Sequence, residues 1–506
     1  MKKNNNPVLI LLFSLFASCI STKIPNYHFN QKTSAPQLRE DIRLLQTILE
    51  ANHPSLYWYM HKDSIDYYFN TAYNSITDSL PETAFRNKAA FCISKIHCGH
   101  TAVRFSANYT KLAEKHRYPQ FPLSIKTWGD SMVALGSYNP KDTIFKRGTI
   151  ITSINGRGNK EILDSMFQLL SSDGYAYNFK SQIISGNFPT IYKQTWGLDS
   201  SYCITYIGPD SKRTQATIVN YTPERDTTAK KKPIQLLKDT SKHIVVVKKP
   251  TRKQRKIAAM LRKRSLSIDT ANSTGYMQLA TFSEGHLGKF FRKSFKALHS
   301  IKCQNLIIDL RENTGGYVSN RNLLTKYLIN KAFKNGDTLA AITQSVKHPY
   351  YVKEALKYWF SAHFGSHKMA DGRYHNRRGE HHFYYPKTNH HFNGHIYIIQ
   401  GGYTFSAATM FASAVKGQKN VTIVGEESGG GYYGNTAMYM PTIILPNSKL
   451  QVIMPMFRLV MDSTRAKNGR GVWPDMYLNP SSTAIKNGID LKLATVKALI
   501  DAYLKK

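Results

Sequence analysis

The segment GGYTFSAATMFASAV, residues 401–415, places one serine at a position where it could do chemistry. Ser406 stands between a Gly-Gly turn and a run of small residues that predicts the first turns of a helix. Its hydroxyl could cap that helix by accepting from a free amide of the first turn. Alternatively, it could be a nucleophile, because helix amides stabilise an oxyanion that forms beside them. The surrounding sequence has to decide between these roles.

From Gly275 onward the sequence alternates apolar strands with amphipathic helices, which predicts an α/β core with a parallel sheet. Ser406 falls at the carboxyl end of one strand and the amino end of the next helix, where open α/β sheets bind their ligands. The predicted strands are GYMQLATF, NLIIDLREN, GHIYIIQGG and VTIVGEES, and the predicted helices are HLGKFFRKSFKALHSI, NRNLLTKYLIN and SAATMFASAVKG.

Two further regions precede this core. Residues 36–98 have helical periodicity, with apolar side chains at Ile42, Leu45, Ile48 and Leu49, and predict a helical cap. Residues 118–222 change to short strands and turns. There GTIITSINGRGNKEILDSM predicts a strand, an Asn-Gly turn and a helix, an order that resembles a PDZ module.

The chain of 506 residues has a formal net charge of +37, which favours anionic surfaces. Residues 224–264 are the most biased segment, with 15 Lys or Arg against 3 Asp or Glu. A solvated loop between domains and a nucleic-acid arm are the two interpretations. No aromatic residues interleave with the charges for base stacking, so we favour the loop and expect no specific nucleic-acid partner.

The N-terminus, MKKNNNPVLILLFSLFASCIST, has two lysines and then an apolar run too short to span a bilayer, which predicts an export signal. Small residues before Cys19 resemble a bacterial lipobox, although Phe16 departs from the usual pattern. We therefore predict a protein of the bacterial cell envelope, anchored to a membrane through lipidated Cys19. An ordinary secretory signal is the alternative.

Four segments together are similar in order and spacing to the C-terminal processing peptidase and tricorn-core family of serine peptidases: NLIIDLRENTGGYVSN, GHIYIIQGGYTFSAATMF, VTIVGEESGGGYYGN and GRGVWPDMYLNP. The resemblance implies a ClpP/crotonase-like core in which Ser406 is the nucleophile. It also implies that the amide of Gly315 or Gly316 and the amide of Ala407 bind the oxyanion, as a tetrahedral intermediate requires.

The family divides on the base that activates the serine. Its processing branch uses a lysine after the next strand, but GEESGGGYYGN has none, which excludes a simple Ser-Lys pair. The tricorn branch uses an upstream histidine, and SKIHCGHTAVRFS is similar to that segment, with His100 at the matching position and His97 nearby. An imidazole can accept the hydroxyl proton at neutral pH. A structural histidine is the alternative reading.

The carboxylate that orients His100 is left open by the sequence. In tricorn-like members an acidic residue precedes the Gly-Val-x-Pro-Asp segment, but Asn468 stands there. Asp462 is the nearest acidic residue upstream, and Glu426 and Glu427 follow the next strand. We take Glu427 and Asp462 as the candidate site residues.

Residues 363–395 contain eight histidines, a density that can bind transition metals. However, HExxH is absent and the loop offers no acidic ligand set, so we predict neither a metal site nor a cofactor.

The sequence thus predicts a multi-domain α/β serine peptidase that hydrolyses peptides or unfolded proteins through an acyl-enzyme, with Ser406 and His100 as nucleophile and base. The alternative is a non-catalytic protein that binds peptides or apolar ligands on the same scaffold. The predicted regions are a signal at 1–19, a helical domain at 36–117, a PDZ-like module at 118–222, a basic connector at 223–268 and a peptidase core at 269–506.

Overall fold

The computed structural model describes residues 27–223 and 250–504. The predicted export signal, Cys19 and residues 224–249 of the predicted connector lie outside the described residues. Within the described ranges, no helix combines the length and apolar character needed to cross a membrane.

The N-terminal region is helical, as predicted, because its apolar residues recur on one face of each long helix. Ile42, Leu45, Ile48 and Leu49 are all fully buried. The loop that carries His100 lies between the third helix and a short strand, Ala102–Arg104, which pairs antiparallel with a strand of the second half of the chain. This pairing ties the helical region to the core. The helices are Ala35–Asn52, Lys62–Asn74, Glu82–Ser94 and Ala107–Lys115, beside a strand pair of Lys32–Thr33 and Leu80–Pro81.

Residues 123–219 form an antiparallel six-stranded sheet with two helices. The predicted turn at Asn155 and Gly156 is confirmed, and both residues have positive φ, as a tight hairpin requires. The strands, in sheet order, are Leu123–Trp128, Ser131–Ser137, Ile150–Ile154, Ser201–Ile207 and Arg213–Val219, with Arg157–Gly158 paired to the third, and the helices are Asn159–Phe167 and Tyr177–Trp196.

The core is a six-stranded sheet that is parallel except at one edge. The predicted strands and helices are confirmed, and both faces of the sheet are buried, which explains the near-continuous apolar strands. The strands, in sheet order, are Arg264–Asp269, Thr274–Leu279, Asn305–Asp309, His395–Gln400, Val421–Gly425 and Met476–Tyr477. The helices are Leu287–Ser300, Val318–Lys326, Ala407–Val415, Ser482–Lys486 and Leu491–Leu504.

Two smaller sheets join the core to the helical region, and they share one apolar cluster with its helices. The first sheet contains His367–Lys368, Tyr374–His375, Thr338–Ala341, Phe457–Val460 and Gly434–Ala437; the second contains Val352–Lys353, Thr442–Ile444, Gln451–Ile453 and Ala102–Arg104. Helices Ala355–Gly365 and Arg377–His381 and the 3-10 turn Pro349–Tyr351 lie among these strands.

The described end of the predicted connector differs from the solvated loop that its charge suggested. Residues Arg252–Lys263 form a helix, here called the basic helix. It begins with a capping box. The Thr251 hydroxyl accepts from the Gln254 backbone amide, and the Gln254 side-chain oxygen accepts from the Thr251 backbone amide. Its Ala, Leu, Met, Lys and Arg residues favour helix. The next strand, Arg264–Asp269, pairs with Thr274–Leu279, so residues 264–268 belong to the core sheet and not to a connector.

Candidate active site

Ser406 has a strained backbone, with φ 53° and ψ −122°, at the junction of strand His395–Gln400 and helix Ala407–Val415. A non-glycine residue in this region costs of order 1–3 kcal/mol and persists only where its surroundings hold it. The hydroxyl makes no capping hydrogen bond, which overturns the helix-cap interpretation. The sharp strand-to-helix turn instead presents the Oγ atom, as nucleophile turns in α/β hydrolases do.

Hydrogen bonds from neighbouring loops hold this turn. The Phe405 amide donates to the Asn313 carbonyl at 3.1 Å. The Thr404 hydroxyl donates to the Leu310 carbonyl at 2.9 Å and accepts from the Gly401 amide at 3.1 Å. The strain at Ser406 is therefore balanced by bonds that also fix the loop after strand Asn305–Asp309.

That loop brings Gly315 against the serine, with Gly316 next to it in the chain. A Cβ atom added to Gly315 would lie 2.7 Å from Ser406 Cβ and 2.9 Å from the Ala407 nitrogen, and Gly315 has φ 101°. The Gly315 amide donates to Asn313 Oδ1 at 2.9 Å. Across residues 27–223 and 250–504, the amides of Gly316 and Ala407 have no hydrogen-bond acceptor. Of the two predicted glycines, Gly316 is therefore the one with a free donor.

Replacing Gly315 with alanine is expected to lower kcat/KM by about 10²-fold, since the added methyl group must displace Ser406 or the Ala407 amide and one oxyanion donor is worth that much. The measurement is steady-state hydrolysis of a peptide by the purified variant. Gly417→Ala is the matched control: Gly417 has φ 82°, but its added Cβ would contact nothing within 4 Å. Equal losses in both variants would mean that backbone strain alone is responsible.

His100 packs against the residue that precedes Ser406. Its side chain is only 8% exposed, and its ring centre is 4.5 Å from that of Phe405, the residue before Ser406. Burial lowers the pKa of His100 to about 4 from its ordinary value of 6.5. The imidazole is therefore neutral at neutral pH, which is the form that can accept a proton. The structure thus brings His100 and Ser406, far apart in sequence, to one place.

The carboxylate beside His100 is Asp173, which the sequence did not single out. Its Oδ1 atom lies 3.9 Å from His100 Nδ1, and that nitrogen is buried without a hydrogen-bond partner among the described residues. Asp173 accepts from the Gly99 amide at 2.8 Å and from the Gly431 amide at 3.5 Å. Burial raises its pKa to about 7. The short Asp-Gly turn before helix Tyr177–Trp196 gave no signal of this role.

The two carboxylates predicted from sequence have other partners. Glu427 is held by the Arg470 guanidinium, at 2.6 Å and 3.0 Å, and accepts from the Gly471 amide at 2.6 Å. Asp462 is at the surface, 3.1 Å from Arg465, and also accepts from Thr464. Neither carboxylate makes a hydrogen bond or ion pair with His100 among the described contacts, so the geometry favours Asp173 for orienting it.

Other polar residues near the site brace loops. Glu426 forms an ion pair with Lys492. His97 lies 3.0 Å from the Gly174 carbonyl through Nδ1, which fixes the loop containing Asp173. In the histidine-rich segment, His375 lies between Glu380 at 2.8 Å and Asp371 at 3.1 Å. Among the described residues, no group of three or more His, Cys, Asp or Glu side chains could hold a metal ion.

A parallel α/β sheet that presents a strained serine, free backbone amides and a buried histidine defines the site of a serine hydrolase. Residues 273–478 match peptidase family S41, so the chain carries a domain of that family. The carboxy-terminal processing protease CtpB of Bacillus subtilis (strain 168) is 34% identical over 73 residues. That alignment covers 13% of this chain and 15% of the length of CtpB.

The whole fold is similar to that of mature CPAF. The crystal structure of mature CPAF has a TM-score of 0.63 at 14% identity, and the alignment covers 92% of this chain and 97% of CPAF. The complex of mature CPAF with lactacystin gives a TM-score of 0.62 at 14% identity, covering 92% and 98%. These two similarities concern the fold alone, and they cover nearly the complete chain.

Proposed function

We propose that this protein is a serine peptidase that cleaves peptides or unfolded proteins, with Ser406 as nucleophile and His100 as general base. The observation that carries the proposal is the strained Ser406 backbone with its uncapped hydroxyl, which stands between the free amide of Ala407 and Phe405, the residue whose ring packs on the buried His100 imidazole. A helix cap or a binding cleft requires none of these features.

In the proposed reaction, Ser406 Oγ attacks the peptide carbonyl carbon as the hydroxyl proton moves to the His100 imidazole. The amides of Gly316 and Ala407 donate to the resulting oxyanion. When the C–N bond breaks, the imidazolium returns its proton to the leaving amine, and an acyl-serine ester remains. Water then attacks the ester, with His100 again taking and returning the proton, which releases the carboxylic acid and restores Ser406.

Asp173 completes the proposed machinery as a positioning residue. A small closure of the 3.9 Å gap would let His100 Nδ1–H donate to its carboxylate, which fixes the tautomer and stabilises the imidazolium that forms during attack. Tyr59 and Cys98 also face Asp173, but burial raises the pKa of both groups, so they stay neutral below pH 8.

Replacing Asp173 with asparagine is expected to lower kcat by about 10²- to 10³-fold and to change the pH profile. In the wild type, activity should fall as pH decreases through about 7, where Asp173 is protonated, and again near 4, where His100 is protonated. In Asp173→Asn only the lower step should remain. The measurement is kcat/KM from pH 4 to 9.

Asp462→Asn is the control, because this carboxylate lies at the surface beside Arg465. It should retain wild-type kcat and both pH steps. If Asp173→Asn keeps the step near pH 7, a different group produces that step, and the positioning role proposed for Asp173 is contradicted.

The function is tested with a fluorophosphonate probe and an unstructured protein substrate. The wild type should cleave the substrate, and the probe should form a phosphorus–oxygen bond to Ser406 with loss of fluoride, mapped by mass spectrometry of the labelled peptide. Labelling at another serine would overturn the nucleophile assignment. Peptide binding without cleavage or labelling would favour the non-catalytic binding protein instead.

We also propose that the protein acts in the bacterial cell envelope. This rests on the sequence pattern that ends at Cys19, with lipidation of that residue as the anchor. An exported peptidase would encounter unfolded or processed envelope proteins as substrates.

A further inference from the structure

The basic helix, Arg252–Lys263, has no buried residue along its 12 residues. By contrast, the core helix Leu287–Ser300 buries six side chains. Isolated helices of this length are marginal in water, so a helix without a packed face lacks the usual source of helix stability. The basic helix is joined to the core at its C-terminal end, where Lys263 forms an ion pair with Glu284. Its outward face has no partner among the described residues.

The sequence of the helix is strongly amphipathic. Half of its residues are cations and none is acidic; the cations are Arg252, Lys253, Arg255, Lys256, Arg262 and Lys263. Ile257 and Leu261, one turn apart, are 50% and 54% exposed. At about 100° per residue, these two apolar side chains lie close together, with most of the cations on the other side and flanks of the helix.

We propose that the basic helix binds the surface of an anionic lipid bilayer, with Ile257 and Leu261 inserted at the boundary of headgroups and acyl chains and the cations against lipid phosphates. Exposed apolar residues with many cations and low overall hydrophobicity are characteristic of helices that lie in the membrane interface. The charge complements an anionic leaflet, where each Lys or Arg contributes to binding.

A bilayer fits these observations better than nucleic acid or an acidic protein. Phosphates alone would leave Ile257 and Leu261 without an apolar partner, and the helix has no aromatic residue for base stacking. An acidic protein would need an apolar pocket for the same pair. A bilayer offers an apolar layer for Ile257 and Leu261 directly beneath a layer of phosphates for the cations on the flanks of the helix, and an anchor at Cys19 would keep the helix near it.

Membrane binding would also determine where the proposed active site lies relative to the bilayer. The basic helix lines a groove together with Tyr317 and Asn320, and Tyr317 directly follows Gly316 of the proposed oxyanion site. A helix lying on the bilayer would therefore hold this side of the catalytic domain close to the membrane surface.

The test is co-sedimentation of the full chain carrying Cys19→Ala, which removes the lipid attachment site, with vesicles. Vesicles of equal phosphatidylglycerol and phosphatidylcholine are compared with pure phosphatidylcholine at 50 mM and 500 mM salt. We expect binding to the anionic vesicles that weakens at high salt. Ile257→Ser/Leu261→Ser and Arg255→Gln/Arg262→Gln should each lower the partition coefficient by about tenfold or more. Their melting temperatures should match that of the parent, because no altered side chain is buried.

Two control pairs test whether the effect belongs to this helix. Leu356→Ser/Phe360→Ser removes an equally spaced pair, 68% and 51% exposed, from helix Ala355–Gly365. Arg292→Gln/Lys296→Gln removes two exposed cations from Leu287–Ser300. Both controls should bind like the parent. Equal binding to neutral vesicles, loss only in the controls, or dimers dissociated by Ile257→Ser/Leu261→Ser without vesicle binding would each overturn the proposal.

Discussion

Replacing Ser406 with alanine is expected to reduce kcat for peptide hydrolysis by about 10⁵- to 10⁶-fold, the loss seen when a serine nucleophile is removed from its catalytic unit. Alanine has no oxygen to form the acyl-enzyme, so only binding and the oxyanion amides would remain to assist attack by water. The measurement is single-turnover hydrolysis at saturating enzyme, which separates chemistry from substrate binding.

The backbone makes this substitution informative. Alanine at φ 53° is no easier to accommodate than serine, so the variant gains no release of strain and should keep the parent melting temperature. Ser413→Ala is the control from the same helix. Its hydroxyl accepts from Arg465 at 2.6 Å and has no place in the proposed reaction, so kcat should stay within a few-fold of wild type. Wild-type turnover in Ser406→Ala would remove the nucleophile assignment.

Replacing His100 with alanine is expected to lower kcat by about 10⁴- to 10⁶-fold, because no other described imidazole lies against the serine turn. The double variant Ser406→Ala/His100→Ala should be little worse than either single variant, since nucleophile and base act as one unit. Kinetics of all three variants under the same conditions measure this non-additivity.

Chemical rescue separates loss of the base from loss of structure. Removing the buried His100 ring leaves space beside Phe405, and added imidazole should restore part of the activity of His100→Ala but none of the double variant. His116→Asn is the control, because this exposed histidine contacts the Leu112 carbonyl and has no place in the proposed reaction. It should retain most activity. Additive losses without rescue would indicate that His100 supports the fold only.

Much of the core could be predicted because its signals are local. The apolar strands, the helices between them and the turn at Ser406 depend on residues adjacent in sequence, and the structure has them where the patterns indicated. The loop of Gly315 and Gly316 was also predicted, from the segment NLIIDLRENTGGYVSN. However, the sequence did not show that the Gly315 amide donates to the Asn313 side chain, because this hydrogen bond depends on the conformation of the folded loop.

The partner of His100 could not be predicted for a different reason. Asp173 reaches the site only through the packing of residues 118–222 against the helical region, and no periodicity encodes that packing. Glu427 was an attractive candidate by position alone. However, Glu427 forms an ion pair with Arg470, which follows much later in the sequence. Long-range ion pairs of this kind decide the role of a carboxylate, and sequence spacing does not reveal them.

The basic helix shows how composition can mask a local signal. The dense positive charge indicated a solvated loop, but the capping box at Thr251 and Gln254 and a run of good helix formers specify a helix. Net charge describes solubility and partners, whereas caps and side-chain propensities determine backbone conformation.

The proposed active site combines residues from three regions, with His100 in the helical region, Asp173 in the following sheet region and Ser406 in the core. The proposed base, His100, and the proposed nucleophile, Ser406, are about 300 residues apart in the chain. A polypeptide that is still being synthesised, or that is threading unfolded through an export channel, has no assembled site and cannot digest its neighbours or itself. Peptidase activity would therefore arise only after the core has packed on the helical region, which would protect chains that are still unfolded.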